Sequence, residues 1–118
     1  MKLNMNSTRE GETLAIVLEG ELTLTESPSF KSWVTRELDS AESPREVAVD
    51  CDQIEYIDST GLGALIFLRK AVLDRGGKLR LTRVSGWLRK FLQVTGLERT
   101  FMNPVSAAAP PPRPESQS

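Results

Sequence analysis

The sequence has no histidine, a single cysteine (Cys51) and few aromatic residues: one tyrosine, two tryptophans and four phenylalanines. One cysteine closes no intramolecular disulfide, which argues against a secreted, disulfide-stapled module. Without histidine the common zinc-ligand sets and the His-dependent triads lack their parts. No run approaches the ~18 apolar residues of a membrane span, and the opening MKLNMNSTREGE lacks the apolar centre of a signal peptide. The expectation is therefore a cytoplasmic protein with no membrane insertion. What is present suits one ordinary domain. The 118 residues are 39% apolar, enough for a single core without metal or disulfides.

Net charge is also nearly absent, at −1, but its distribution is uneven. Residues 1–58 carry 5 basic and 13 acidic side chains, whereas residues 59–103 carry 9 basic and 2 acidic ones. Such asymmetry marks either a charged binding face or two sets that pair with each other in the fold. Direct nucleic-acid binding through the basic half is not expected, because aromatic residues for base stacking are few. The last fifteen residues hold five of the seven prolines and almost no large apolar side chains. A domain over 1–103 followed by a disordered Pro/Ala/Ser-rich tail over 104–118 is expected.

Along the chain, Leu3 and Met5 alternate with asparagines, and after a polar turn comes TLAIVLEG, so a hairpin opens the fold. Ser27 and Pro28 have the form of an N-cap and first helical residue, and Phe30, Trp33, Val34 and Leu38 recur at helical spacing. EVAVDC reads as a short strand buried on both faces. From Asp58 a second helix carries Leu62, Leu65, Ile66, Leu68 and Val72, with Gly76-Gly77 as its stop. KLRLT alternates as a strand, a third helix holds Trp87, Leu88, Phe91 and Leu92 and closes at Thr95-Gly96, and Arg99–Met102 reads as an edge strand. Trp33 and Trp87 are read as packing residues, and Cys51 as a small core residue. The order β-β-α-β-α-β-α-(β) predicts an α/β fold with a mostly parallel or mixed sheet covered by helices.

The segment Ile57-Asp58-Ser59-Thr60-Gly61-Leu62-Gly63 is the most informative. Asp58 stands at the N-cap of the second helix and leaves the Ser59 hydroxyl at the helix end. Gly61 and Gly63 each cost roughly 1 kcal/mol against Ala in a helix, which calls for the close approach of a partner or of a neighbouring element. On one reading Asp58 caps, Ser59 and Thr60 are ordinary first-turn residues, and the glycines admit tight packing. On the other, the segment is a binding surface. Enzyme chemistry is not expected: there is no G-x-S-x-G elbow, no histidine base, and no phosphate loop of the G-x-x-x-x-G-K-[ST] kind. No catalytic, cofactor or metal residues are assigned.

The order of elements, the Gly20-Glu21-Leu22-Thr23 turn and above all YIDSTGLGALIFLRK from Tyr56 to Lys70 resemble the STAS domain of bacterial anti-sigma factor antagonists. The resemblance implies a small mixed β-sheet of four to five strands with helices mainly on one side. It also implies a switch, with no enzymatic activity, that regulates transcription. The unphosphorylated protein sequesters an anti-sigma factor with GHKL-type serine kinase activity, phosphorylation releases it, and a PP2C-type phosphatase resets it. The phosphoacceptor implied is Ser59, with Asp58 positioning it and Thr60, Gly61, Leu62, Gly63, Glu21 and Thr23 in the partner-binding region. Thr23 stands where members often have Asp, and AAAPPP stands where they commonly end in a further helix. The fold also resembles small STAS subunits of lipid-transport ABC complexes, which dock on an ATPase, and stressosome-type scaffolds. If Ser59 is the acceptor, Glu21, Glu26 and Asp58 are expected to cluster at the helix end and to steer the domain toward a basic patch on its kinase.

Overall fold

In a computed structural model the described residues are 3–40 and 43–102. The 104–118 tail expected from composition lies outside them. Four strands and four helices follow one another: β1 Leu3–Glu10, β2 Thr13–Leu22, α1 Ser27–Leu38, β3 Glu46–Ile57, α2 Ser59–Asp74, β4 Lys78–Thr82, α3 Gly86–Val94 and α4 Glu98–Met102. The sheet order is β1-β2-β3-β4, with β1 antiparallel to β2 and the other pairs parallel. This is the mixed sheet expected. The β1–β2 hairpin turns at Gly11, whose φ of +62° places it in the left-handed region that glycine reaches without a Cβ clash.

Among the described residues, helices cover one face of the sheet only. Leu14, Ile16 and Leu18 of β2, Val47, Val49 and Cys51 of β3 and Leu79 and Leu81 of β4 are buried beneath them, packed against Phe30 and Val34 of α1 and Leu65 and Leu68 of α2. The opposite face of β3 is half-exposed at Glu46, Ala48 and Asp50, so the reading of EVAVDC as buried on both faces is corrected. The acidic residues there are met by arginines: Glu46 by Arg80 at 3.0 Å, and Asp50 and Asp52 by Arg83 at 3.5 and 3.0 Å. These pairs satisfy the side chains on a face that no helix covers.

β3 also runs six residues past Cys51, to Ile57. Register shifts against β2, between Val17 and Glu19 and between Gly20 and Glu21, break the alternation. Beyond Cys51 the buried positions are Ile54 and Ile57, three apart. Bulges of this kind re-aim side chains at the end of a strand, and a period-2 pattern does not reveal them.

Two further expectations are corrected. The first helical residue of α1 is Ser27, and Glu26 is the N-cap with no capping bond from its side chain. The Thr23 carbonyl takes the Ser27 N–H at 2.9 Å and the Ser27 hydroxyl at 2.8 Å, which draws the helix start one residue earlier. Arg99–Met102 belongs to helix α4 and not to an edge strand. Gly96, at φ +78°, ends α3, the Phe101 N–H bonds the Leu97 carbonyl at 3.2 Å, and Phe101 is buried against the core. A four-residue segment carries too little periodicity to distinguish the two states.

Candidate functional site

The site is assembled where β2 and β3 end and α2 begins. Asp58 is extended, at φ −97° and ψ −175°, and its Oδ1 accepts the Gly61 N–H at 2.8 Å, the N-cap bond expected from sequence. Its Oδ2 accepts the Leu24 N–H at 3.1 Å. One carboxylate thus ties the first turn of α2 to the loop that follows β2. The Asp58 N–H adds a third tie, to the Leu22 carbonyl at 3.3 Å. With both oxygens on backbone donors, Asp58 organises the backbone around Ser59, which lies exposed at the first helical position with Thr60 beside it.

The two glycines separate. A Cβ on Gly61 would fall 1.9 Å from the Leu22 carbonyl oxygen, while one on Gly63 would meet nothing within 4 Å. Gly61 is therefore required by packing within the domain, whereas Gly63 leaves the outer face of α2 bare. Leu62 is buried with Gly61. Of the residues assigned to the partner-binding region, Thr60 and Gly63 are exposed beside Ser59, and Phe67 continues the same helical face four residues on. Lys31 sits 5.5 Å from the Phe67 ring centroid, and Leu24, 68% exposed, lies next to Asp58.

Of the three acids expected to cluster, Glu21 stands on β2 opposite Tyr56 in register, one residue pair before Leu22 and Ile57. The fold thus brings Glu21, Glu26 and Asp58 to the same end of the sheet. Glu26, however, is turned inward: Oε1 accepts from the Thr23 hydroxyl and from the Thr23 N–H at 3.1 Å. The hydroxyl bond is the main cause holding the Glu26 carboxyl below its ordinary pKa. Thr23 and Glu26 therefore hold the β2–α1 turn and present little charge outward.

Sequence reasoning missed the other wall of the site. A cavity of about 470 Å³ opens between Tyr56 and Ser59 on one side and Trp87, Lys90, Phe91 and Val94 of α3 on the other. Trp87 is 39% exposed and Val94 74%, so the reading of Trp87 as a packing residue is corrected: Leu88 and Leu92 carry the buried face of α3. The available signal was the width of the apolar face of α3, in which Trp87, Phe91 and Val94 extend well beyond the buried pair Leu88 and Leu92. Cys51 is fully buried, and burial pushes its thiol up to about 12, so it is inert as a nucleophile. Among the described residues no group of three or more His, Cys, Asp or Glu is placed to hold a metal, and no helix is long and apolar enough to cross a membrane.

With this geometry in hand, comparison with known proteins is informative. A family model described as "Mlab, STAS domain" matches residues 5–104. The anti-sigma-B factor antagonist of Staphylococcus aureus (strain NCTC 8325 / PS 47) is 26% identical over 98 residues, covering 83% of this chain and 89% of the relative. The crystal structure of an anti-sigma factor antagonist from Mycobacterium paratuberculosis superposes with a TM-score of 0.72 at 17% identity, over 85% of this chain and 83% of that one. The Bacillus cell fate determinant SpoIIAA in its phosphorylated form superposes with a TM-score of 0.65 at 20% identity, over 84% and 89%. At these identities the two structures speak for the fold.

Proposed function

This chain belongs to the STAS domain family, and from that premise we propose that it is an anti-sigma factor antagonist switched by phosphorylation of Ser59. The curated relatives are antagonists of an anti-sigma factor, and one structural neighbour is a protein captured phosphorylated. The observation that carries the reading is the exposed Ser59 hydroxyl at the first position of α2, on a backbone clamped by Asp58. In the unphosphorylated chain Ser59, Thr60, Gly63 and Phe67 offer a small, nearly uncharged face to the anti-sigma factor, with Leu24 at its edge. Glu21 and Thr23 act at one remove, through the turn beside Asp58. The partner is also the kinase. The Ser59 Oγ attacks the γ-phosphorus of the partner's nucleoside triphosphate, the bond to the β-phosphate breaks, and the hydroxyl proton passes to a base on the kinase. A phosphatase of the PP2C type returns the hydroxyl and inorganic phosphate by hydrolysis.

The phosphate brings a charge of about −1.5 to −2 at neutral pH. The free N–H groups at the start of α2 tolerate it, an exposed anion there gaining about 0.3–1 kcal/mol. A partner carboxylate pressed to within ~4 Å would instead meet a repulsion on the order of 4 kcal/mol at an effective dielectric near 20. Since about 1.4 kcal/mol is tenfold in affinity, part of that repulsion suffices for release without any change of fold.

The test is to incubate the chain with the anti-sigma factor kinase of its own cell, map the phosphate by mass spectrometry, and measure binding of the Ser59 variants. The expected result is label on Ser59, none on Ser59→Ala, and at least about tenfold weaker binding by Ser59→Glu with an unchanged circular dichroism spectrum. Label elsewhere, or Ser59→Glu binding as tightly as the parent chain, overturns the reading. Co-purification of an ABC-type ATPase in place of the kinase would move it to a docking subunit of a lipid-transport complex, and recovery in a large homotypic assembly to a stressosome-type scaffold.

A further inference from the structure

We propose that Lys90 is the internal counter-ion of the phosphorylated state: its ammonium reaches across the cavity between α2 and α3 and pairs with the phosphate on Ser59. This rests on Ser59 being the acceptor and concerns what the domain itself does with the added charge.

Three observations carry it. Lys90 of α3 and Ser59 at the start of α2 line the same cavity of about 470 Å³, and Lys90 is the only cation among its described lining residues. Among the described residues Lys90 has neither an ion pair nor a hydrogen bond, whereas the adjacent Arg89 is engaged with Glu98 at 3.5 Å. The one carboxylate among the described lining residues, Asp58, accepts the backbone N–H groups of Gly61 and Leu24 and makes no ion pair with Lys90. A lysine on an open helix face needs no explanation. Here an unpaired lysine shares a cleft with the position where a dianion is to be placed.

The chemistry of the cleft favours the pair. The walls are otherwise mainly apolar, from Tyr56, Trp87, Phe91 and Val94, but Ser59 and Lys90 are both exposed to solvent, so their attraction is that of a surface pair, modest and sensitive to salt. Lysine's flexible four-carbon stem carries a compact charge that can follow the phosphate without imposing a fixed fork geometry. The phosphate then has two sets of donors, the N–H groups opening α2 and the Lys90 ammonium, and it lies over the mouth of the cleft. A partner that uses the cleft loses both the opening and the cation.

The proposal is tested with the full chain carrying phosphoserine placed at position 59 during ribosomal synthesis, so that no kinase is involved. The ³¹P resonance is followed from pH 4 to 8 at low salt. The second ionisation of the phosphate is expected about 0.2–0.7 pH units lower with Lys90 than in Lys90→Gln. Lys90→Arg is expected to retain the shift, and about 1 M salt to remove most of it. Lys70→Gln, the same change of net charge some 16 Å along α2, is expected to leave it unaltered. Equal ionisation with and without Lys90, an equal effect of Lys70→Gln, or loss of the shift in Lys90→Arg overturns the proposal. Because the phosphoserine enters during synthesis, these outcomes are independent of whether an anti-sigma factor phosphorylates the chain. A kinase assay that labels another residue would instead remove the functional reading and leave the ion-pair measurement intact.

Discussion

Gly61 and Gly63 stand two residues apart in one helix and meet opposite surroundings. The Cβ of an alanine at 61 would lie 1.9 Å from the Leu22 carbonyl oxygen, a backbone atom that cannot turn aside, so α2 would have to move off β2. Gly61→Ala is expected to destabilise the chain by about 1–3 kcal/mol, as overpacking does. An alanine at 63 enters open space and gains helix propensity, so Gly63→Ala is expected to stabilise by up to about 1 kcal/mol. Urea unfolding of the two variants checks both signs. The sequence flags both positions as costly in a helix but does not separate them, because the atom that does so belongs to a residue 39 positions away. Asp58 was legible for the opposite reason: an N-cap bond is closed within four residues and is written in local order.

At the scale of elements, the turn between β2 and α1 carries a pH dependence. The Thr23 hydroxyl and N–H bond the Glu26 carboxylate and lower its pKa in the folded state below the ordinary value. A group whose folded pKa is depressed contributes stability that is present above its unfolded pKa and is lost as pH falls through the folded one. Thr23→Val removes the hydroxyl donor. The parent chain is expected to be the more stable of the two at pH 7, with the gap closing as the medium is acidified below about pH 4.3. Denaturant titrations at a series of pH values measure this directly, and a gap that persists unchanged at pH 2 would refute it. The register shifts of β3 and the helical turn of α4 are features of the same scale that local pattern does not reveal. A bulge depends on the partner strand, and Phe101 takes a helical turn because the core offers it a buried place.

Over the whole molecule, the opposed charges of the two halves of the chain are in part paired with each other. Arg80 and Arg83, from the basic half, pair with Glu46, Asp50 and Asp52 of the acidic half across the uncovered face, and Arg75 pairs with Asp39 at 2.7 Å. Such partly exposed pairs are individually weak, so Arg83→Ala is expected to lower stability by no more than about 1 kcal/mol, with the difference shrinking in about 1 M salt. Thermal unfolding at low and high salt tests this. A larger, salt-insensitive loss would mean that Arg83 holds the sheet in another way. Of the three acids expected to steer a partner, two are engaged within the domain: Glu26 with Thr23, and Asp58 with two backbone N–H groups.

The amino-acid sequence by itself determined the order of the first seven strands and helices, the Asp58 cap and the exposed first-turn serine, because each follows from periodicity or from bonds closed within a few residues. The tertiary structure alone decided that Gly61 is needed for packing and Gly63 is not, that Trp87 lines a cleft, and that Lys90 shares that cleft with Ser59. Those facts arise where chain segments some 30 to 40 residues apart meet, and no local pattern records which side chains will face each other across such a gap.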